Sequence, residues 1–85
     1  GDPFGFLGRH RLADGRMVLR FSQPKAQQAA MRARDGNGSW PLQRAHHHGF
    51  FERELPTEAA HVPYDLEWTT HEGHTFRQAD VYSFE

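Results

Sequence analysis

Seven histidines in a chain of 85 residues raise the question of metal chemistry first. They include the triplet His46-His47-His48 and the pair His71-x-x-His74, which brackets a Glu72-Gly73 turn. Zinc takes four ligands in a tetrahedral array, or three with a position open for chemistry. A loop triplet supplies two donors at most, no second matched pair accompanies it, and the chain has no cysteine. The expectation is no native metal and no cofactor. Solvated loop histidines should bind nickel or zinc only adventitiously.

The eleven carboxylates are the next candidates. Acid–base cleavage of a sugar bond with retention needs two carboxyls about 5–5.5 Å apart. Glu52, Glu54, Asp65 and Glu67 instead fall on the polar sides of predicted strands, where nothing separates their pKa values into an acid and a base. No catalytic residues are expected. Ligand stacking on an exposed aromatic face remains. Trp40 follows Gly36-Asn37-Gly38-Ser39 and precedes Pro41, a turn context that can leave an indole partly open. Asn37, Gln43 and Arg44 lie close in sequence and supply polar groups, so these four are the candidate glycan-binding residues. The competing role for Trp40 is to cap one end of the core. Trp68 alternates with Tyr64 and Leu66 and is expected inside.

Such side chains need a scaffold, and the composition bounds what it can be. At 36% hydrophobic and 25% charged residues, the chain is globular with a lean core, and its eleven aromatics must supply much of the burial. A formal charge of −1 gives no reason to expect nucleic acid as a partner. No apolar run approaches the ~20 residues of a membrane span. There is no basic-then-apolar leader, and a cytoplasmic location is expected.

Turn signals recur at Asp14-Gly15, Asp35-Gly36-Asn37-Gly38, His48-Gly49 and Glu72-Gly73, a spacing that predicts an all-β sandwich or barrel. The strands expected between them run over 16–22, 50–55, 64–70 and 75–82, with a short edge strand over 42–45. The segment from Pro24 to Arg34 is built of strong helix formers, with Ser22 able to cap it and Gly36 to end it. Its alternative is a strand with Ala29, Met31 and Ala33 inward and Arg32 and Arg34 outward. Local sequence leaves the two open.

Five pieces in order carry a resemblance. The opening Asp2-Pro3-Phe4…Leu7-Gly8-x-His10 is followed by Val18-Leu19-Arg20-Phe21-x-x-Pro24-x-Ala26. Then come His48-Gly49-Phe50-Phe51-Glu52…Leu55-Pro56, Pro63-Tyr64-Asp65-Leu66, and Ala79-Asp80-Val81-Tyr82-Ser83-Phe84. Together they resemble the amino-terminal β-sandwich domain of bacterial 1,4-alpha-glucan (glycogen) branching enzymes, and the histidine-containing segment favours the first of two tandem modules. Val81 departs from the pattern, standing where that family has proline.

The resemblance implies an immunoglobulin-like β-sandwich of about seven strands, and it tips the segment around Ala29 and Met31 towards strand. It also implies a single module, residues 1–85, excised from a larger enzyme that forms alpha-1,6 branches by transferring alpha-1,4-glucan chains. The module itself is then non-catalytic. It braces domains or positions glucan and so influences transferred chain length. Its partners would be a neighbouring sandwich, the catalytic barrel of the same chain and, weakly, an alpha-glucan. A stand-alone carbohydrate-binding or protein-interaction module with the same fold is the alternative. Phe4, Phe6 and Leu7, with His10, are expected to hold the lead-in segment on the sandwich.

Overall fold

The computed structural model describes residues 6–45 and 49–79. Among them the chain forms β1 (Phe6–Arg11), β2 (Met17–Ser22), β3 (Ala26–Ala33), β4 (Ser39–Pro41), β5 (Gln43–Arg44), β6 (Phe50–Leu55), a 3-10 turn (Thr57–Ala59), β7 (Tyr64–Thr70) and β8 (Thr75–Ala79). Two four-stranded antiparallel sheets result, ordered β1-β2-β6-β5 and β4-β3-β7-β8. Both follow the strand order of an immunoglobulin sandwich, with β4 as a short addition to the second sheet. The expected fold class is the one observed.

Alternation decides which residues meet between the sheets. In β7, Tyr64, Leu66, Trp68 and Thr70 are buried while Asp65, Glu67 and Thr69 are not. Leu19 and Phe21 of β2, Phe51 of β6 and Met31 of β3 complete the centre. Aromatic rings cross it, with Phe21 6.4 Å from Phe51 and 6.5 Å from Trp68 between centroids.

Residues 26–33 form a strand despite their helix propensity. Ala29, Met31 and Ala33 are buried as the strand alternative required, and Arg32 and Arg34 face outward to Glu67 and Asp65. Pro24 and Lys25 make a turn closed by Ala26 N–H on Gln23 O (3.0 Å), so Ser22 caps nothing. Pairing with β7 along nearly the whole length of β3 outweighs the weak local preference.

One other expectation shifts. The lead-in is partly a strand, since Phe6 to Arg11 pairs with β2 through a bulge between Phe6 and Gly8. That bulge breaks the period by which a strand is recognised. The short edge strand expected over 42–45 is β5 (Gln43–Arg44), at the edge of the first sheet, and a further strand, β4 (Ser39–Pro41), precedes it in the other sheet. β4 pairs with β3 and β5 with β6, and Leu42 between them turns into the core, its N–H bonded to Ala29 O at 2.9 Å.

Candidate functional site

The four candidate glycan contacts lie along the β4–β5 side of the sandwich. Trp40 sits on β4 opposite the buried Met31, and cross-strand partners share a face, so its indole turns towards the core and packs against it half-buried. The six-membered ring lies so close over Gly38 that a Cβ there would overlap it. Asn37 is exposed in the β3–β4 turn, where its N–H bonds Asp35 Oδ1 at 2.8 Å.

Gln43 and Arg44 stand beyond the crossover, on β5 of the other sheet, and both are exposed. Arg44 pairs with Phe51 in register. It sends Nη2 to Gln27 O at 2.6 Å, and its guanidinium lies 5.9 Å from the Phe51 ring centroid. Trp40 and Arg44 thus close the same open side from opposite sheets, with Leu42 between them.

The carboxylates face arginines on the outer surfaces. Glu54 Oε1 is 2.9 Å from Arg16 Nη1, Glu52 Oε2 3.6 Å from Arg20 Nε, and Glu67 Oε1 2.7 Å from Arg32 Nη2. Asp65 takes Arg34 Nε on one oxygen and Arg77 Nε on the other, each at 3.0 Å. In the β1–β2 turn the backbone N–H of Arg16, together with its guanidinium, holds the Asp14 carboxyl below the usual carboxylate range. The hydrogen bonds that the Arg16 guanidinium donates to Asp14 and Glu54 in turn raise its own pKa. An open hollow of about 520 Å³ lies beside this turn, lined by Arg11, Asp14, Arg16, Glu54, Pro56 and His61 among others. Most of its charges are those ion pairs.

His71 and His74 are exposed at the β7–β8 turn, where His74 N–H bonds Thr70 Oγ1 at 3.1 Å. No group of three or more His, Cys, Asp or Glu among the described residues could hold a metal ion. His46, His47, His48 and Phe4 lie outside the described residues, and Phe6 and Leu7 are described in backbone only. His10 is exposed on β1, opposite Val18. No helix among the described residues is long and apolar enough to cross a membrane.

One group went unnoticed in the sequence. Phe76 on β8 is 48% exposed and stacks on Trp68, with centroids 4.6 Å and planes 25° apart. Trp68 is 8% exposed, as a core residue should be, and its Nε1–H bonds Gln78 Oε1 at 3.2 Å. The available signal was the hairpin register, which places Phe76 opposite Trp68.

The profile of the family described as alpha-1,4-glucan branching enzyme GlgB, N-terminal domain, matches residues 1–82. The chain is 35% identical over 83 residues to the 1,4-alpha-glucan branching enzyme GlgB of Methylococcus capsulatus, covering 98% of this chain and 10% of that protein. It is 37% identical over 84 residues to the 1,4-alpha-glucan branching enzyme GlgB of Paramagnetospirillum magneticum, covering 99% of this chain and 10% of that protein. The chain therefore spans about a tenth of the length of these relatives. No solved structure matches it significantly. With a family profile spanning residues 1–82 and a sandwich of two antiparallel sheets beneath it, the chain belongs to the family of N-terminal domains of the alpha-1,4-glucan branching enzyme GlgB.

Proposed function

We propose that this chain is a non-catalytic accessory module of a larger cytoplasmic branching enzyme, which forms alpha-1,6 branches by transferring alpha-1,4-glucan chains. Its main contribution is to brace a neighbouring sandwich and the catalytic barrel. Positioning of glucan, with an influence on transferred chain length, is the lesser one. The observation that carries the non-catalytic reading is the outer-face ion pairing. Glu52, Glu54, Asp65 and Glu67 each face a guanidinium, whereas branch transfer needs two carboxyls set across one sugar. Trp40 and Arg44 are occupied in closing the core edge, which favours bracing over strong glycan binding at Trp40, Asn37, Gln43 and Arg44.

Comparing the parent enzyme with and without this module tests the reading. Branching activity should persist after deletion, with a changed distribution of transferred chain lengths. Loss of branching in a folded Glu52→Gln or Asp65→Asn parent would overturn the non-catalytic role.

A further inference from the structure

Phe76 is the large hydrophobic side chain left exposed among the described residues. One face of its ring lies on Trp68, so the opposite face is the one open to water. The support beneath it is fixed. Trp68 is buried, rests near Phe21 and donates its Nε1–H to Gln78 Oε1. Because an indole nitrogen only donates, Gln78 must turn its carbonyl oxygen to Trp68, which leaves its amide NH2 free to donate elsewhere. Gln78 lies two residues from Phe76 on the same strand, hence on the same face, and β8 is exposed along its length.

Area decides what this surface fits. A phenylalanine offers roughly 150–250 Å² in all, so half of one ring presents on the order of 100 Å². A stable protein partner covers about 800 Å² on each side. Around Phe76 the strand supplies Thr75, Arg77 and Gln78 rather than more apolar surface. A single pyranose ring matches both features, with a C–H face to lie on the phenyl ring and hydroxyls to accept from the amide.

We propose that the Phe76–Gln78 edge of β8 is a contact site for one glucose unit of an alpha-1,4-glucan. The unit stacks on the open face of Phe76 and accepts a hydrogen bond from the Gln78 side-chain NH2. The site lies on the edge of the second sheet opposite to β4 and is separate from the Trp40 candidates. It rests on the reading that this module positions glucan.

The test is an NMR titration of the isotope-labelled 85-residue chain with maltoheptaose, and with cellohexaose as the beta-linked control. Saturable shifts in the millimolar range are expected, centred on the Phe76 ring, the Gln78 side-chain NH2 and the Trp68 indole N–H. Phe76→Ala should weaken binding about tenfold or more, while Phe76→Trp retains it. Gln78→Glu keeps an acceptor for Trp68 but loses the donor, and should weaken binding severalfold. Shifts centred on Trp40 and unaffected by Phe76→Ala would overturn this site while leaving glucan positioning intact. An equal response to cellohexaose would overturn the alpha-glucan assignment. No saturable shift at millimolar maltoheptaose would remove both the site and the positioning role, leaving bracing.

Discussion

Arg9, the unspecified position in the Leu7-Gly8-x-His10 motif, anchors β1 to the rest of the sandwich, while its neighbour His10 is exposed. Arg9 lies on β1 opposite Leu19, and its Nη1 bonds Val62 O at 2.8 Å and Ala59 O at 3.3 Å. Its guanidinium sits 4.7 Å from the Tyr64 ring centroid. One side chain thereby ties the first strand to the β6–β7 connection and to the second sheet. Hydrogen bonds to a charged group are worth about 1.5–3 kcal/mol, and methionine keeps only the apolar stem. Arg9→Met should therefore destabilise the chain by about 2 kcal/mol, lowering the melting temperature by roughly 8–16 °C. Calorimetry showing no change would remove the tie. Gly38 sets Trp40 in a comparable way, because the indole occupies the space a Cβ would take. Gly38→Ala should displace the ring into water, seen as a red shift and quenching of Trp40 emission in a Trp68→Phe background. An unshifted emission would mean that the backbone yields instead.

At the scale of elements, β6 and β7 have the bounds that the sequence predicts, because flanking turns mark their ends and, in β7, strict alternation marks the buried face. β3 is not legible in this way. Its alanines, glutamines and methionine are helix formers, and only cross-strand pairing with β7 makes it a strand. The consequence is testable at Ala30, on the outer face beside a hollow of about 230 Å³. Ala30→Val should stabilise the chain by a few tenths to about 1 kcal/mol, measured by urea unfolding, whereas a helical segment would be weakened by it. The candidate site is hard to foresee for a related reason. Trp40, Gln43 and Arg44 are close in sequence, but the chain changes sheets between them. Phe76 resembles any other inward position of a hairpin until the facing sheet is seen to leave it open. The β1–β2 turn allows a pH prediction. The folded chain holds the Asp14 carboxyl below its ordinary value, which is about 3.9 when unfolded. Its contribution is thus complete above that pH and is lost as pH falls through the lowered midpoint. A carbon-detected titration should give a midpoint under about 3.9. Arg16→Ala should recover only part of the shift, because the foremost cause is the backbone N–H, which alanine keeps.

For the molecule as a whole, the question is whether the packed interior or the charged outer surface, whose ion pairs each lie within one sheet, supplies most of the stability. Ten Lys and Arg nearly balance eleven Asp and Glu, and the ion-paired side chains described above are between 20% and 57% exposed. Pairs of that kind contribute about 0–1 kcal/mol each, and salt at ~1 M shortens the screening length to about 3 Å. Moving from ~0.1 to ~1 M sodium chloride should therefore shift the melting temperature by less than about 5 °C. Chloride suits this test because sulfate would strengthen apolar burial at the same time. Two adjacent residues of β7 make the comparison sharper, since Asp65 points out to Arg34 and Arg77 while Leu66 is fully buried. Asp65→Asn weakens two such pairs and should lose about 2 kcal/mol at most, whereas Leu66→Ala removes core volume and should lose about 2–5 kcal/mol. A domain of this size has on the order of 4–13 kcal/mol in total, so the Leu66 variant should sit near the edge of folding at 37 °C. If salt or Asp65→Asn instead lowered stability as much as Leu66→Ala, the outer charge ladder, and not the aromatic core, would be what joins β3, β7 and β8.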